Sequence, residues 1–181
     1  MKKLLAFALL LSAVHAKAQL TTSDVLRIGR MFTNPYNINA RSFIEARDEL
    51  QLMGYPLMRF VPNSVNSDRF FSFYYQRSGN DREKVVVVSQ YYNVNNTIKV
   101  VYNITVTTSD IDQFNAMLKN AMSHPDFEAM GPNLSTNNFK SKTTTGVKEQ
   151  LNFSKGYSVL PSGEMNIQVP IAYTITYSRE N

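Results

Sequence analysis

Between Ser42 and Met53 the apolar residues Phe43, Ala46, Leu50 and Met53 recur at about 3.6-residue spacing, and from Tyr55 onward the apolar period drops to two. That change of period predicts a helix over residues 42–53 followed by strands. Ser42 and Glu45 supply an S-x-x-E capping box at its start, and Gly54 stands where a helix ends. Upstream, Val25, Ile28 and Phe32 share a helical face behind Thr22 or Ser23 as N-cap, with Gly29 weakening that short helix and Asn34-Pro35-Tyr36-Asn37 ending it.

Four alternating segments follow. Residues 55–61 stop at Pro62-Asn63. In residues 69–77, Phe71, Phe73 and Tyr75 share one face while Phe70, Ser72 and Tyr74 share the other. Ser78-Gly79-Asn80-Asp81 reads as a hairpin connection to the β-branched stretch 84–92. In residues 97–107, Ile98, Val100, Tyr102, Ile104 and Val106 alternate with polar Lys99, Asn103, Thr105 and Thr107, the pattern of an antiparallel sheet with one covered and one wet face. Ser109 and Asp112 then repeat the capping logic before Ile111, Phe114, Leu118, Ala121 and Met122, and this helix ends near Ser123, ahead of His124-Pro125. Strands are expected over 127–130, 139–145, 147–154 and 165–177. Pro170 removes a ladder donor, which places an edge or a bulge there.

The two halves overlay. Ser42 and Ser109 are 67 positions apart, as are Ile98 and Met165, and at that offset Val100, Tyr102, Ile104 and Val106 meet Ile167, Val169, Ile171 and Tyr173 with face parity kept. Phe60-Val61-Pro62-Asn63 faces Met130-Gly131-Pro132-Asn133 at an offset of 70. The predicted fold class is therefore α+β, a tandem repeat of helix plus antiparallel β-meander in two α-β-β-β units, with helices on one face of the sheet. The expected organisation is a signal over 1–18, a helical arm over 19–38, and repeats over 39–108 and 109–181. One continuous sheet and two layers meeting at a cleft are both compatible with this pattern.

Lys2 and Lys3, the apolar run 4–11 and Ala16-Lys17-Ala18 have the order of a cleaved secretory signal. The run is too short for a spanning helix and no later stretch is longer, so the mature chain is expected to begin at Gln19 and to be periplasmic or secreted in a bacterial envelope. The full chain carries 19 Lys+Arg against 14 Asp+Glu, and three of those lysines lie in the signal. What remains is close to neutral. Arg27 with Arg30, and Lys140, Lys142 and Lys148, read as ordinary solvated faces, so no nucleic-acid partner is expected.

The chain has no cysteine, which removes disulfides, thiolate nucleophiles and Cys-ligated metals. Its mature part holds one histidine, His124, read as a helix-terminating residue near the carbonyl end of the dipole. Asp110 and Asp112 read as first-turn acids. Asp81 with Glu83, and Asp48 with Glu49, read as solvated pairs rather than catalytic ones. No Gly-rich phosphate loop and no G-x-S-x-G occurs. No catalytic residue, metal site or cofactor is assigned.

Aromatic surface remains. Phe70-Phe71-Ser72-Phe73-Tyr74-Tyr75 and Tyr91-Tyr92 place rings on both faces of their strands. Either residues 20–36 cover the second face, or Phe70, Tyr74 and Tyr91 form a patch suited to a partner. The reading is a non-enzymatic exported binding module that acts through a sheet face or inter-repeat cleft on an envelope or extracellular protein or envelope component. The alternative is a carrier of an apolar small molecule or lipid lined by Phe71, Phe73, Met117 and Met122.

Overall fold

A computed structural model describes residues 19–31, 41–65, 68–80, 82–94, 97–131, 137–142, 147–162 and 165–180. The expected signal at 1–18 and the break at Asn34–Asn37 lie outside the described residues. Three helices, α1 (Thr22–Met31), α2 (Arg41–Leu52) and α3 (Ile111–Met122), accompany strands β1 (Leu57–Val65), β2 (Asp68–Gln76), β3 (Lys84–Val94), β4 (Thr97–Thr108), β5 (Phe127–Ala129), β6 (Asn137–Ser141), β7 (Lys148–Ser162) and β8 (Met165–Glu180). This is an α+β arrangement.

All eight strands belong to one antiparallel sheet in the order β1-β2-β3-β4-β8-β7-β6-β5. Each of the two longer helices is followed by a four-strand meander, and the meanders join through their last strands. The seam is a ladder in which Thr105 stands opposite Thr176 with their hydroxyls 3.3 Å apart. Among the described residues there is no second sheet layer between the halves.

Alternation along the strands sorts the sheet into two faces. On one, Tyr75, Val85, Val106, Ile175 and Phe153 form a buried row across five strands. On the other, Arg59, Tyr74, Val86, Thr105, Thr176, Asn152 and Asn138 follow one another across seven. The buried face takes the helices. Phe114 of α3 packs on Tyr173 and Phe153, with ring centroids 5.0 and 5.8 Å away. Helix α1 lies between its neighbours, its Thr22 hydroxyl donating to the Met117 carbonyl at 2.7 Å and Arg27 pairing with Glu49 of α2. Its described residues join the helix layer, so they do not cover the opposite face as one of the two expectations had it.

Three local readings are corrected. The cap of α3 is Asp110, one residue later than Ser109. Its carboxylate accepts from the backbone N–H groups of Asp112 and Gln113 at 2.9 and 3.2 Å, the preferred N-cap geometry. Strand β1 runs through Pro62 because it is a sheet edge, where a missing N–H breaks no ladder. Strand β7 extends well past Ser154 and pairs with β8 to its tip. The irregularity foreshadowed by Pro170 appears there as a bulge between Gly156 and Tyr157, with Tyr157 opposite Pro170.

Candidate functional site

Beneath the helices the ionisable groups serve the structure. Glu83, read from sequence as a solvated turn acid, is 0% exposed. It accepts from the Tyr55 hydroxyl, from Arg77 Nη1 at 2.5 Å and from Gln113 Nε2 at 3.0 Å. Glu149, at the start of β7, accepts from Arg30 Nε at 3.0 Å and from the Tyr177 hydroxyl at 2.7 Å. Arg30 is thus ion-paired rather than a free surface cation, although its side chain stays partly exposed. It also reaches Asp126 at 3.1 Å and ties α1 to the far half of the sheet. Burial, then the neighbouring carboxylates, pushes the Tyr55 and Tyr177 hydroxyls well above the ordinary tyrosine range. Burial opposes ionisation of Glu149, yet the hydrogen bonds from Arg30 and Tyr177 and the charges of Arg30 and Arg179 outweigh it and hold the carboxyl below its usual value. Both carboxylates have their lone pairs engaged by fixed donors, which suits them to holding helices on a sheet.

His124 fits its terminating role. Its N–H donates to the Ala121 carbonyl, Nδ1 accepts from the Asp126 N–H at 3.2 Å, and the ring stands edge-on to Phe127. Among the described residues no group of three or more His, Cys, Asp or Glu side chains is placed to hold a metal ion. No described helix is long and apolar enough to cross a membrane.

The helix-free face is the candidate surface. Tyr74 lies on it, 39% exposed, with the Arg59 guanidinium 6.0 Å from its ring centroid. Val86 and Val88 continue the face, and beyond them the surface becomes hydroxyl and amide. Ser178 donates to Asn103 Oδ1 at 2.6 Å, and Asn152 Nδ2 donates to Asn138 Oδ1 at 2.6 Å. A depression of 320 Å³ opens at this end, lined by Met130, Asn138, Gln150, Asn152, Thr176 and Ser178 with parts of Phe139 and Leu151.

Of the three residues singled out from sequence, Tyr74 stands on this surface. The side chains of Phe70 and Tyr91 lie outside the described residues. In the ladder Phe70 is opposite Gln90, whereas Tyr91 is opposite Arg69, at positions of the other parity. The suggested carrier lining is not one wall: Met117 is 1% exposed in the helix–sheet core and Met122 is 70% exposed. The depression was not anticipated. Thr174, Thr176 and Ser178 alternate visibly with apolar neighbours, as do Asn103 and Thr105, but nothing local says that β8 lies between β4 and β7 and so brings these side chains beside Asn152 and Asn138. No family model matches this chain, nor does any curated protein or solved structure.

Proposed function

We propose that the chain is an exported, non-enzymatic binding module whose helix-free sheet face holds an envelope or extracellular component. The observation that supports this reading is the asymmetry of the sheet. One face carries three helices, held by the hydrogen-bonded carboxylates of Glu83 and Glu149. The other presents exposed Tyr74, the Arg59 cation and rows of hydroxyl and amide side chains without a described element above them. The mirrored strand order and the Thr105–Thr176 contact at the seam fit an origin by tandem duplication of a helix-plus-meander unit, which would make the broad face a composite of two units.

The test compares the mature chain with Tyr74→Ala and Thr105→Lys, which alter the open face, and with Met122→Ala, which alters the helix side. A component of the periplasm or culture fluid retained by wild type and by Met122→Ala, but lost by both face variants at unchanged melting temperature, is the expected result. Retention by all variants overturns the assignment of the face. Recovery of the chain in the cytoplasm with residues 1–18 still attached overturns export. A second reading, carriage of an apolar small molecule, draws on the half-open ring cluster of Phe60, Phe71 and Phe73 on the helix side, where Phe60 is 4.9 Å from Phe73 between centroids. An extractable lipid that copurifies with the exported chain, and is lost on Phe60→Ala, would favour it.

A further inference from the structure

The polar half of the open face differs from an ordinary wet sheet surface in three respects. It is concave, with the 320 Å³ depression continuing past Met130 into a second hollow of 460 Å³ beside Glu128, Gly131 and Lys140. Its side chains are uncharged: three carboxamides, Asn138, Gln150 and Asn152, face two hydroxyls, Thr176 and Ser178. The charges at its margin are mutually neutralised, since Lys140 pairs with Glu128 at 3.2 Å. The Asn152–Asn138 and Ser178–Asn103 hydrogen bonds fix the orientation of the lining, while each carboxamide keeps further donor and acceptor sites. Exposed Met130 supplies an apolar contact at the boundary between the two hollows.

From this donor set we propose that the depression over β6, β7 and β8 binds a neutral saccharide chain. Carboxamides and hydroxyls offer paired donors and acceptors to vicinal sugar hydroxyls, and Met130 offers a surface for the C–H face of a ring. A phosphate, sulfate or carboxylate ligand would find no unpaired cation in this lining, and a lipid chain would have to desolvate five polar side chains without compensation. Two adjoining hollows, one over β6 to β8 and the next beside β5 and β6, follow one another across the strands and suit consecutive sugar units rather than a single compact metabolite. The inference rests on reading the open face as the contact surface and adds the class of ligand.

The experiment presents the mature chain to an array of neutral glycans, including N-acetylglucosamine and glucose oligomers, together with sialylated and sulfated ones. Any neutral hit is followed by titration calorimetry and by the side-chain amide resonances of Asn138, Gln150 and Asn152. The expected result is binding of a neutral oligosaccharide that shifts those resonances and weakens by about tenfold on Asn152→Ala, the loss of one or two hydrogen bonds. Thr176→Val is to weaken it as well, and the melting temperatures of both variants are to stay at the wild-type value. No binding, binding confined to anionic glycans, or neutral binding indifferent to both variants overturns the saccharide site. The contact-surface reading fails separately, when Tyr74→Ala and Thr105→Lys alter no interaction of the chain.

Discussion

Gly29 of α1 rests directly on the ring of Tyr177 in β8. A β-carbon added at Gly29 would fall within the van der Waals radius of the ring's Cδ1 and Cε1 atoms. The same Tyr177 hydroxyl donates to Glu149, which also holds Arg30, so close approach and ion pairing fasten the helix at adjacent residues.

Gly29→Ala is therefore expected to destabilise the protein, although helix propensity alone predicts a gain of about 1 kcal/mol. Overpacking against a fixed ring costs about 1–3 kcal/mol. Urea denaturation of the variant is to show a lower midpoint with an unchanged slope; a raised midpoint would show that α1 can lift from the sheet without loss.

Arg77→Met leaves the Glu83 carboxylate in the core with, among the described residues, Tyr55 and Gln113 as side-chain donors. Breaking a buried pair in this way costs about 3–5 kcal/mol, whereas removing both partners is milder. The double variant Arg77→Met with Glu83→Leu should lie closer to wild type than Arg77→Met alone, as measured by equilibrium unfolding. A double variant as costly as the sum of its single changes would contradict this account of the cluster.

Stability should respond to pH at both ends of the scale. Glu149 has a folded-state pKa below its ordinary value of 4.5, so the stabilisation it contributes is complete above that value and is lost as pH falls through the folded pKa. Asp110 acts in the same direction, through its hydrogen bond from Gln19 and then those from the helix backbone. At the alkaline end burial pushes Tyr75 up to about 12, and Tyr55 and Tyr177 higher still. Their stabilisation is full below the ordinary value of 10 and declines as pH rises beyond it. Unfolding free energy measured against pH should show both flanks, with Glu149→Gln flattening the acid one. Phenolate absorbance of these three rings should appear together with unfolding.

Tyr74→Ala should leave the melting temperature nearly unchanged, because the ring is exposed and its contact with Arg59 is worth about 0.5–1 kcal/mol at such a site. A drop of more than a few degrees would assign the ring to packing rather than to recognition.

The residues that predicted the elements show where local information ends. The 3.6-residue spacing of Ala46 and Leu50, the alternation of Val100, Tyr102, Ile104 and Val106, and the missing donor of Pro170 were all legible, because period and backbone chemistry act within a few residues. The depression was half legible: Thr176 and Ser178 declared themselves wet, and Asn152 lay outward on its own strand. The buried roles of Glu83, Glu149 and Arg30 were not, since an acid beside a turn looks the same whether water or a tyrosine from another element solvates it.

By itself the sequence determined the helix and strand inventory, the two-faced character of the strands and the near-neutral charge of residues 19–181, all consequences of residue type and short-range spacing. The tertiary structure decided that β4 and β8 close the meanders into one sheet, that α1 joins the helix layer, and which carboxylates are sealed beneath it. Those outcomes depend on contacts between residues as distant as Arg30 and Glu149 or Thr105 and Thr176, whose free energy exists only once the chain has brought them together.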